Sequence, residues 1–253
     1  MELTAVLYLT NRCNLFCDHC DQSSGNAREN ELTTSEILQG VEKLLKGEPF
    51  EHLQFEISES RVPHNSTPVA GQEIRHVCLS GGEPVLHKDF FYIARTLMDW
   101  GLEVSFITNA TFSPVYYSRI LELDFNAIYV SLDGLENTHN LLRRSGLSFK
   151  RVIQFLEFVN DCLAKPVAEI GLNATVAEPL NSIQKVFSGD LYVVTCVTSK
   201  SVNDLEALSE LLSKYKITKW FLKPLEMKGR ALEHPELWVD ASTEEQFLRY
   251  SKR

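Results

Sequence analysis

Three cysteines fall within eight residues of one another: Cys13, Cys17 and Cys20, in Cys13-Asn14-Leu15-Phe16-Cys17-Asp18-His19-Cys20. The spacing is C-x3-C-x2-C. Three thiolates on one loop can each hold one iron of a cubane cluster, which leaves the fourth iron open to a small molecule bearing an amine and a carboxylate. The same thiols could hold zinc, with His19 or a remote residue as fourth ligand. Structural zinc cysteines usually come as two C-x2-C pairs, and the sequence has no second pair. The other three cysteines, Cys78, Cys162 and Cys196, are scattered and read as small core hydrophobes. Cys196 has a second reading, as a thiol pointing into the barrel.

Three further short segments carry residue types suited to binding: Gly81-Gly82-Glu83-Pro84, Thr108-Asn109 and Ser131-Leu132-Asp133-Gly134. Each taken alone reads as a turn at the end of a strand. Their shared position is the informative feature, because each follows a short apolar run, as the cysteine segment follows Ala5–Leu9. In parallel α/β folds, ligands sit at the C-terminal ends of the strands. All four segments would therefore line one mouth.

The elements that must position them alternate. Strands are expected at Ala5–Leu9, Val77–Leu79, Val104–Ile107, Ala127–Val130, Leu191–Val194 and Trp220–Leu222. They are apolar enough to suggest burial on both faces. Helices are expected at Leu32–Lys46, with a capping box from Thr33 and Glu36, and at Phe90–Trp100, Pro114–Leu123 and Phe149–Leu163. A further helix is expected after a Ser201 cap. His52–Ile57 alternates like a half-exposed strand, and Ile170–Val176 is an extra strand-like piece. Segments near 48–72 and 167–189 read as insertions. Such alternation implies parallel pairing through right-handed crossovers. The fold class is α/β, a partial (β/α)6 TIM-like barrel of parallel strands over residues 1–232, with a tail at 233–253. A helix opened at Ser242 and ending so soon suggests a trimmed chain or a short natural tail.

With 253 residues, 44% apolar and 23% charged, the chain has the composition of a folded globular domain. No apolar run is long enough for a membrane span, and the first ten residues do not form a signal peptide, so a cytoplasmic location without a membrane partner is expected. A net charge of −9 disfavours nucleic acid as a partner.

Thr10-Asn11-Arg12-Cys13 through Cys20 resembles the signature of the radical SAM superfamily. The resemblance continues through Gly81–Pro84, Thr108-Asn109, Ser131–Gly134, His139, Arg143 and Ser148-Phe149. Lys223-Pro224 and Gly229-Arg230-Ala231 are similar to the end of the core in members with a SPASM or twitch extension, many of which modify peptides. The resemblance implies an enzyme with a [4Fe–4S] cluster on Cys13, Cys17 and Cys20 and with S-adenosylmethionine as cofactor. Reductive cleavage would give a 5′-deoxyadenosyl radical that takes hydrogen from a substrate, a peptide or alternatively a small metabolite. An electron donor such as flavodoxin or ferredoxin is implied as partner. It also implies cofactor contacts from Gly81, Gly82, Glu83, Asn109, Ser131, Asp133 and Arg143. Arg144 stands where glycine is more usual, which leaves two arginines for one role. His19 is expected to be a packing residue beside the cluster, and His139 a structural residue at a helix start. No cysteine follows Cys196, so the extension that would hold auxiliary clusters is expected either to be absent or to lie beyond Arg253. A zinc-binding scaffold without catalysis is the alternative of a different class.

Overall fold

The structure, a computed structural model, describes residues 2–48, 55–58, 73–164 and 187–240. Seven strands form one sheet: β1 Glu2–Tyr8, β2 Phe55–Ser58, β3 Glu73–Ser80, β4 Glu103–Thr108, β5 Ala127–Ser131, β6 Asp190–Val197 and β7 Lys219–Pro224. Their order is β2-β1-β3-β4-β5-β6-β7. All neighbours are parallel except β2, which lies antiparallel on the edge of β1. Six parallel strands thus follow one another in chain order, and the sheet curls into a partial barrel. Most of the two expected insertions, the piece 170–176 and the helix at Ser242 lie outside the described residues; Phe55–Ser58 is the part of the first that forms β2.

Six helices are described: α1 Thr34–Leu45, α2 Phe90–Asp99, α3 Tyr117–Glu122, α4 Glu136–Leu142, α5 Ser148–Ala164 and α6 Leu205–Leu212. The α1 capping box forms as its sequence requires: Thr33 accepts from the Glu36 N–H, and the Glu36 carboxylate accepts from the Thr33 N–H. Such a cap contributes about 1 kcal/mol. Pro114 opens a short 3-10 turn before α3. The α4 helix was not legible, because seven residues hold too few apolar positions to show a period. It supplies the start of α5, since Asn140 Oδ1 accepts from Ser148 Oγ and Phe149 N–H.

One expected cap is corrected. Ser201 lies buried in a 3-10 turn, Ser201–Asp204, and does not cap α6. Thr198 Oγ1 instead accepts from the N–H of Ser201 at 3.0 Å and of Lys200 at 3.3 Å.

The core lies between the strands and the helices. Leu7, Leu79, Phe106, Ile128 and Val193 face Ile37, Val41, Ile93, Leu97, Ile120, Phe155 and Leu156, all almost fully out of solvent. Phe90, Phe106 and Phe125 pack with ring centroids 4.7–6.0 Å apart. Truncating one such ring costs about 3–5 kcal/mol. The expectation of strands buried on both faces fails on the concave side. β6 alternates strictly between half-buried and buried, and the half-buried set includes Tyr192 and Cys196. With six parallel strands the barrel is not filled by opposing strands, so that face keeps polar and aromatic side chains. His76 bridges Thr4 and Ser105 there, and the Tyr129 and Tyr192 rings lie 4.9 Å apart.

Candidate functional site

The cysteine loop follows β1 at the C-terminal mouth, and the chain itself holds it in shape. Cys13 N–H donates to Gly25 O at 2.7 Å, and Gly25 N–H donates to Asn11 O at 3.0 Å. The Glu31 carboxylate accepts from the Thr10 hydroxyl and from the Asn11 N–H. Asp18 N–H donates to Leu142 O at 2.9 Å, which ties the loop to the end of α4. Arg230, far along the chain, reaches the carbonyls of Cys17 and Ser24.

Two of the three thiols accept backbone hydrogen bonds. The Leu15 N–H donates to Cys13 Sγ, and the Ser24 N–H donates to Cys20 Sγ. Asn109 Nδ2 approaches Cys13 Sγ at 3.6 Å. Burial raises the Cys17 thiol to about 12 and also raises Cys13, while the Arg143 guanidinium pulls both down. Among the described residues, no three His, Cys, Asp or Glu side chains converge tightly enough for a single metal ion. Three soft sulfurs, spread along a loop with N–H groups aimed at two of them and a cation alongside, fit a polynuclear iron–sulfur cluster.

Gly81 and Gly82 pack under this loop. Gly81 has φ +133°, and a Cβ at either glycine would clash with the Thr10 or Arg12 carbonyl oxygen. Gly82 N–H donates to Thr10 O at 2.8 Å, and Glu83 N–H donates to Arg12 O at 2.9 Å. The lack of side chains therefore serves a contact between two chain segments.

Glu83 is fully buried. Its carboxylate accepts from Thr108 Oγ1 at 2.9 Å, from Asn109 N–H at 2.8 Å and from Val85 N–H at 3.4 Å. Burial pushes it up to about 7 despite these donors. Asn109 continues the chain of contacts to Asn14 Oδ1 and Cys13. Glu83, Asn109 and Cys13, from three separate segments, thus form one connected group.

A second group forms at the end of β5. Asp133 Oδ2 accepts from Arg143 Nε at 2.7 Å, and Asp133 Oδ1 accepts from Cys196 N–H at 3.0 Å. His19 Nε2 stands 3.3 Å from Asp133 Oδ2. Burial opposes the charge on Asp133, but Arg143 and then His19 hold its carboxyl well below the usual range. His139 is fully buried in the middle of α4 and accepts from the Asp133 N–H at Nδ1. Burial drives it down to about 3, so it is a neutral structural residue with its proton on Nε2. Arg144, at φ +49°, turns outward and pairs with Asp18, leaving Arg143 as the arginine at the site.

Ser131 lies half-buried at the end of β5. Cys78 and Cys162 are buried core residues. Cys196 is half-buried on the concave face, level with Lys223 in register and beside Asp133. Its inward alternative is thus the one the strand register supports. Sequence reasoning missed Arg230 as part of the site, although Gly229-Arg230-Ala231 was visible as a segment.

A family model described as the Radical SAM superfamily matches residues 68–165, which span β3 to α5; the cysteine loop lies before that stretch. The AdoMet-dependent heme synthase of Methanosarcina barkeri is 29% identical over 184 residues, covering 71% of this chain and 44% of its own length. The sporulation killing factor maturation protein SkfB of Bacillus subtilis is 21% identical over 184 residues, covering 72% of this chain and 39% of its own length. The chain therefore spans less than half the length of these two relatives. Streptococcus suis SuiB, solved bound to its precursor peptide SuiA, superposes with a TM-score of 0.61 at 14% identity, covering 99% of this chain and 46% of SuiB. That likeness is one of fold. The matched stretch holds Gly81–Pro84, Asn109, Asp133 and Arg143, the same residues that the fold gathers against the cysteine loop, and over that stretch the chain is similar to the Radical SAM superfamily.

Proposed function

We propose that the chain is the catalytic core of an enzyme that holds a [4Fe–4S] cluster on Cys13, Cys17 and Cys20 and binds S-adenosylmethionine beside it. The observation that carries this reading is the joining of the cysteine loop to the ends of β4 and β5, through Asn109–Glu83 and Arg143–Asp133. When bound and reduced, the cluster and cofactor supply a 5′-deoxyadenosyl radical able to take hydrogen from an unactivated C–H bond.

The protein's own part is to bind, orient and exclude water. Arg143 offers a planar cation for a carboxylate, and Asp133 fixes its direction. Glu83 offers a buried carboxylate for an ammonium group; an incoming cation would favour its charged form. Asn109 spaces these groups from Cys13. The backbone at Gly81 and Gly82 keeps the cysteine loop low over β3. Ser131 and Cys196 face the concave side, where a substrate would lie.

A peptide is the proposed substrate. SkfB is named as a maturation protein, and SuiB was crystallised with a precursor peptide. The relative named as a heme synthase favours a small molecule as the second reading. An electron donor of the flavodoxin or ferredoxin type is part of the proposal.

The experiment is anaerobic reconstitution with iron and sulfide, then reduction with dithionite in the presence of S-adenosylmethionine. Formation of 5′-deoxyadenosine and methionine supports the reading. A colourless, zinc-containing protein with no cleavage would replace it with the scaffold alternative.

A further inference from the structure

Arg230 is buried, and the described residues offer it no carboxylate partner. It is 5% exposed. Its Nε donates to Cys17 O at 3.0 Å, and Nη1 and Nη2 donate to Ser24 O at 3.2 and 2.6 Å. Its backbone N–H donates to Cys20 O at 2.9 Å. The Phe16 ring lies flat against the guanidinium, 3.9 Å from its central carbon. Phe16 itself is 50% exposed, so the ring is what separates the cation from water. Trp238 Nε1 donates to Ala231 O and holds the segment from behind.

Buried charges are ordinarily paired, because desolvation of a lone ion is costly. Here, among the described residues, the guanidinium is met by carbonyl dipoles and an aromatic face. All of those carbonyls belong to the loop that carries the three cysteines. Sequence separation makes the arrangement deliberate in its topology: Cys17 and Arg230 are 213 positions apart in the chain.

We propose that Arg230 is the counter-cation and clamp of the cysteine loop. This rests on the iron–sulfur reading of that loop. As a clamp, its fork fixes two carbonyls at once, which holds Cys17 and Cys20 in their ligating geometry before any iron arrives. As a counter-cation, it is fixed on the backbone of the loop whose three thiolates would give a bound cluster net negative charge, and each electron added would make that charge larger. A fixed buried cation therefore favours the reduced state and raises the reduction potential. Phe16 strengthens the effect by keeping water from screening the charge. Arg230 is thus a positioning residue, acting through the loop.

The test compares Arg230→Lys, Arg230→Gln and Phe16→Leu with the wild type. In the apo-protein, a thiol reagent with mass-spectrometric mapping reads how often the loop opens, with Cys162 as the internal control. After reconstitution, a potentiometric titration followed by electron paramagnetic resonance reads the cluster potential. Arg230→Gln should speed labelling of Cys17 and Cys20 by about tenfold or more, as loss of charged hydrogen bonds predicts, and should move the potential to more negative values. Arg230→Lys should also speed labelling but keep a potential close to wild type, since charge stays while the fork is lost. Phe16→Leu should shift the potential in the same direction as Arg230→Gln, by less. Wild-type labelling in both Arg230 variants overturns the clamp, and a wild-type potential in Arg230→Gln overturns the counter-cation. If Arg230→Gln does not fold, Arg230→Lys decides the clamp and Phe16→Leu the electrostatic part by the same criteria. If no protein takes up a cluster, the iron–sulfur reading and the counter-cation fall together, and the apo labelling still decides the clamp.

Discussion

Arg143 Nε donates to Asp133 Oδ2 across 2.7 Å, with both side chains out of solvent, at the point where the end of β5 meets the end of α4. The pair joins a strand that comes early in the site to a helix that the cysteine loop touches through Leu142 O. Removing one partner leaves a buried charge alone. Asp133→Asn should therefore lower unfolding free energy by about 3–5 kcal/mol, measured by urea denaturation. The double change Asp133→Leu with Arg143→Met should cost less than the sum of its single changes. Additive losses would mean that the two groups do not act as a pair.

Arg143 and Arg144 should separate cleanly in cofactor binding. Arg143→Ala should weaken binding of S-adenosylmethionine to the reconstituted protein by about 1.5–3 kcal/mol, the worth of a hydrogen bond to a charged group. Arg144→Ala should leave it unchanged, since Arg144 points to Asp18 at the surface. Calorimetric titration gives both values, and equal effects would undo the assignment.

The Glu83 carboxyl predicts a pH dependence. Burial raises it to about 7 from 4.5 in the folded protein. A carboxyl raised on folding stabilises the protein fully below its unfolded value, and that stability is lost as pH rises through the folded value. The apo wild type should gain about 1.4 kcal/mol between pH 8 and pH 6 from this group, roughly one pK unit of free energy. Glu83→Gln should remove that part of the slope. Parallel urea curves at the two pH values for both proteins would show that Glu83 does not titrate in this window.

Gly82 should tolerate no side chain. A Cβ there meets the Arg12 carbonyl, so Gly82→Ala should cost about 1–3 kcal/mol as overpacking does and lower iron retention. Gly146→Ala, where a Cβ meets nothing within 4 Å, is the control and should behave as wild type. Equal melting temperatures for the two variants would show that the loop can rise off β3 without cost.

Cluster content should depend on three cysteines alone. Single Ala changes at Cys13, Cys17 or Cys20 should each abolish a content of about four irons per chain. Joint replacement of Cys78, Cys162 and Cys196 by Ala should keep the iron and lose only packing energy. Iron analysis near eight in the wild type, falling to four in that variant, would place a second cluster on those thiols.

Local chemistry was legible wherever it depended on neighbours in sequence. The C-x3-C-x2-C spacing, the Thr33–Glu36 cap and the apolar strand runs are short-range signals, so the partial barrel and the mouth could be read from them. That parallel strands follow chain order comes from the handedness of their crossovers. What the sequence could not decide depended on which face a strand turns to the core and on contacts across hundreds of residues. Cys196 and Cys78 look alike as residues in apolar strands and share the concave face in register, yet Cys78 is covered within the sheet while Cys196, near the end of β6, borders the mouth. The choice between Arg143 and Arg144 turned on a single left-handed backbone conformation at φ +49°. Arg230 became part of the site only when the chain after β7 folded back onto the cysteine loop, because a buried guanidinium takes the carbonyls that the tertiary structure brings to it.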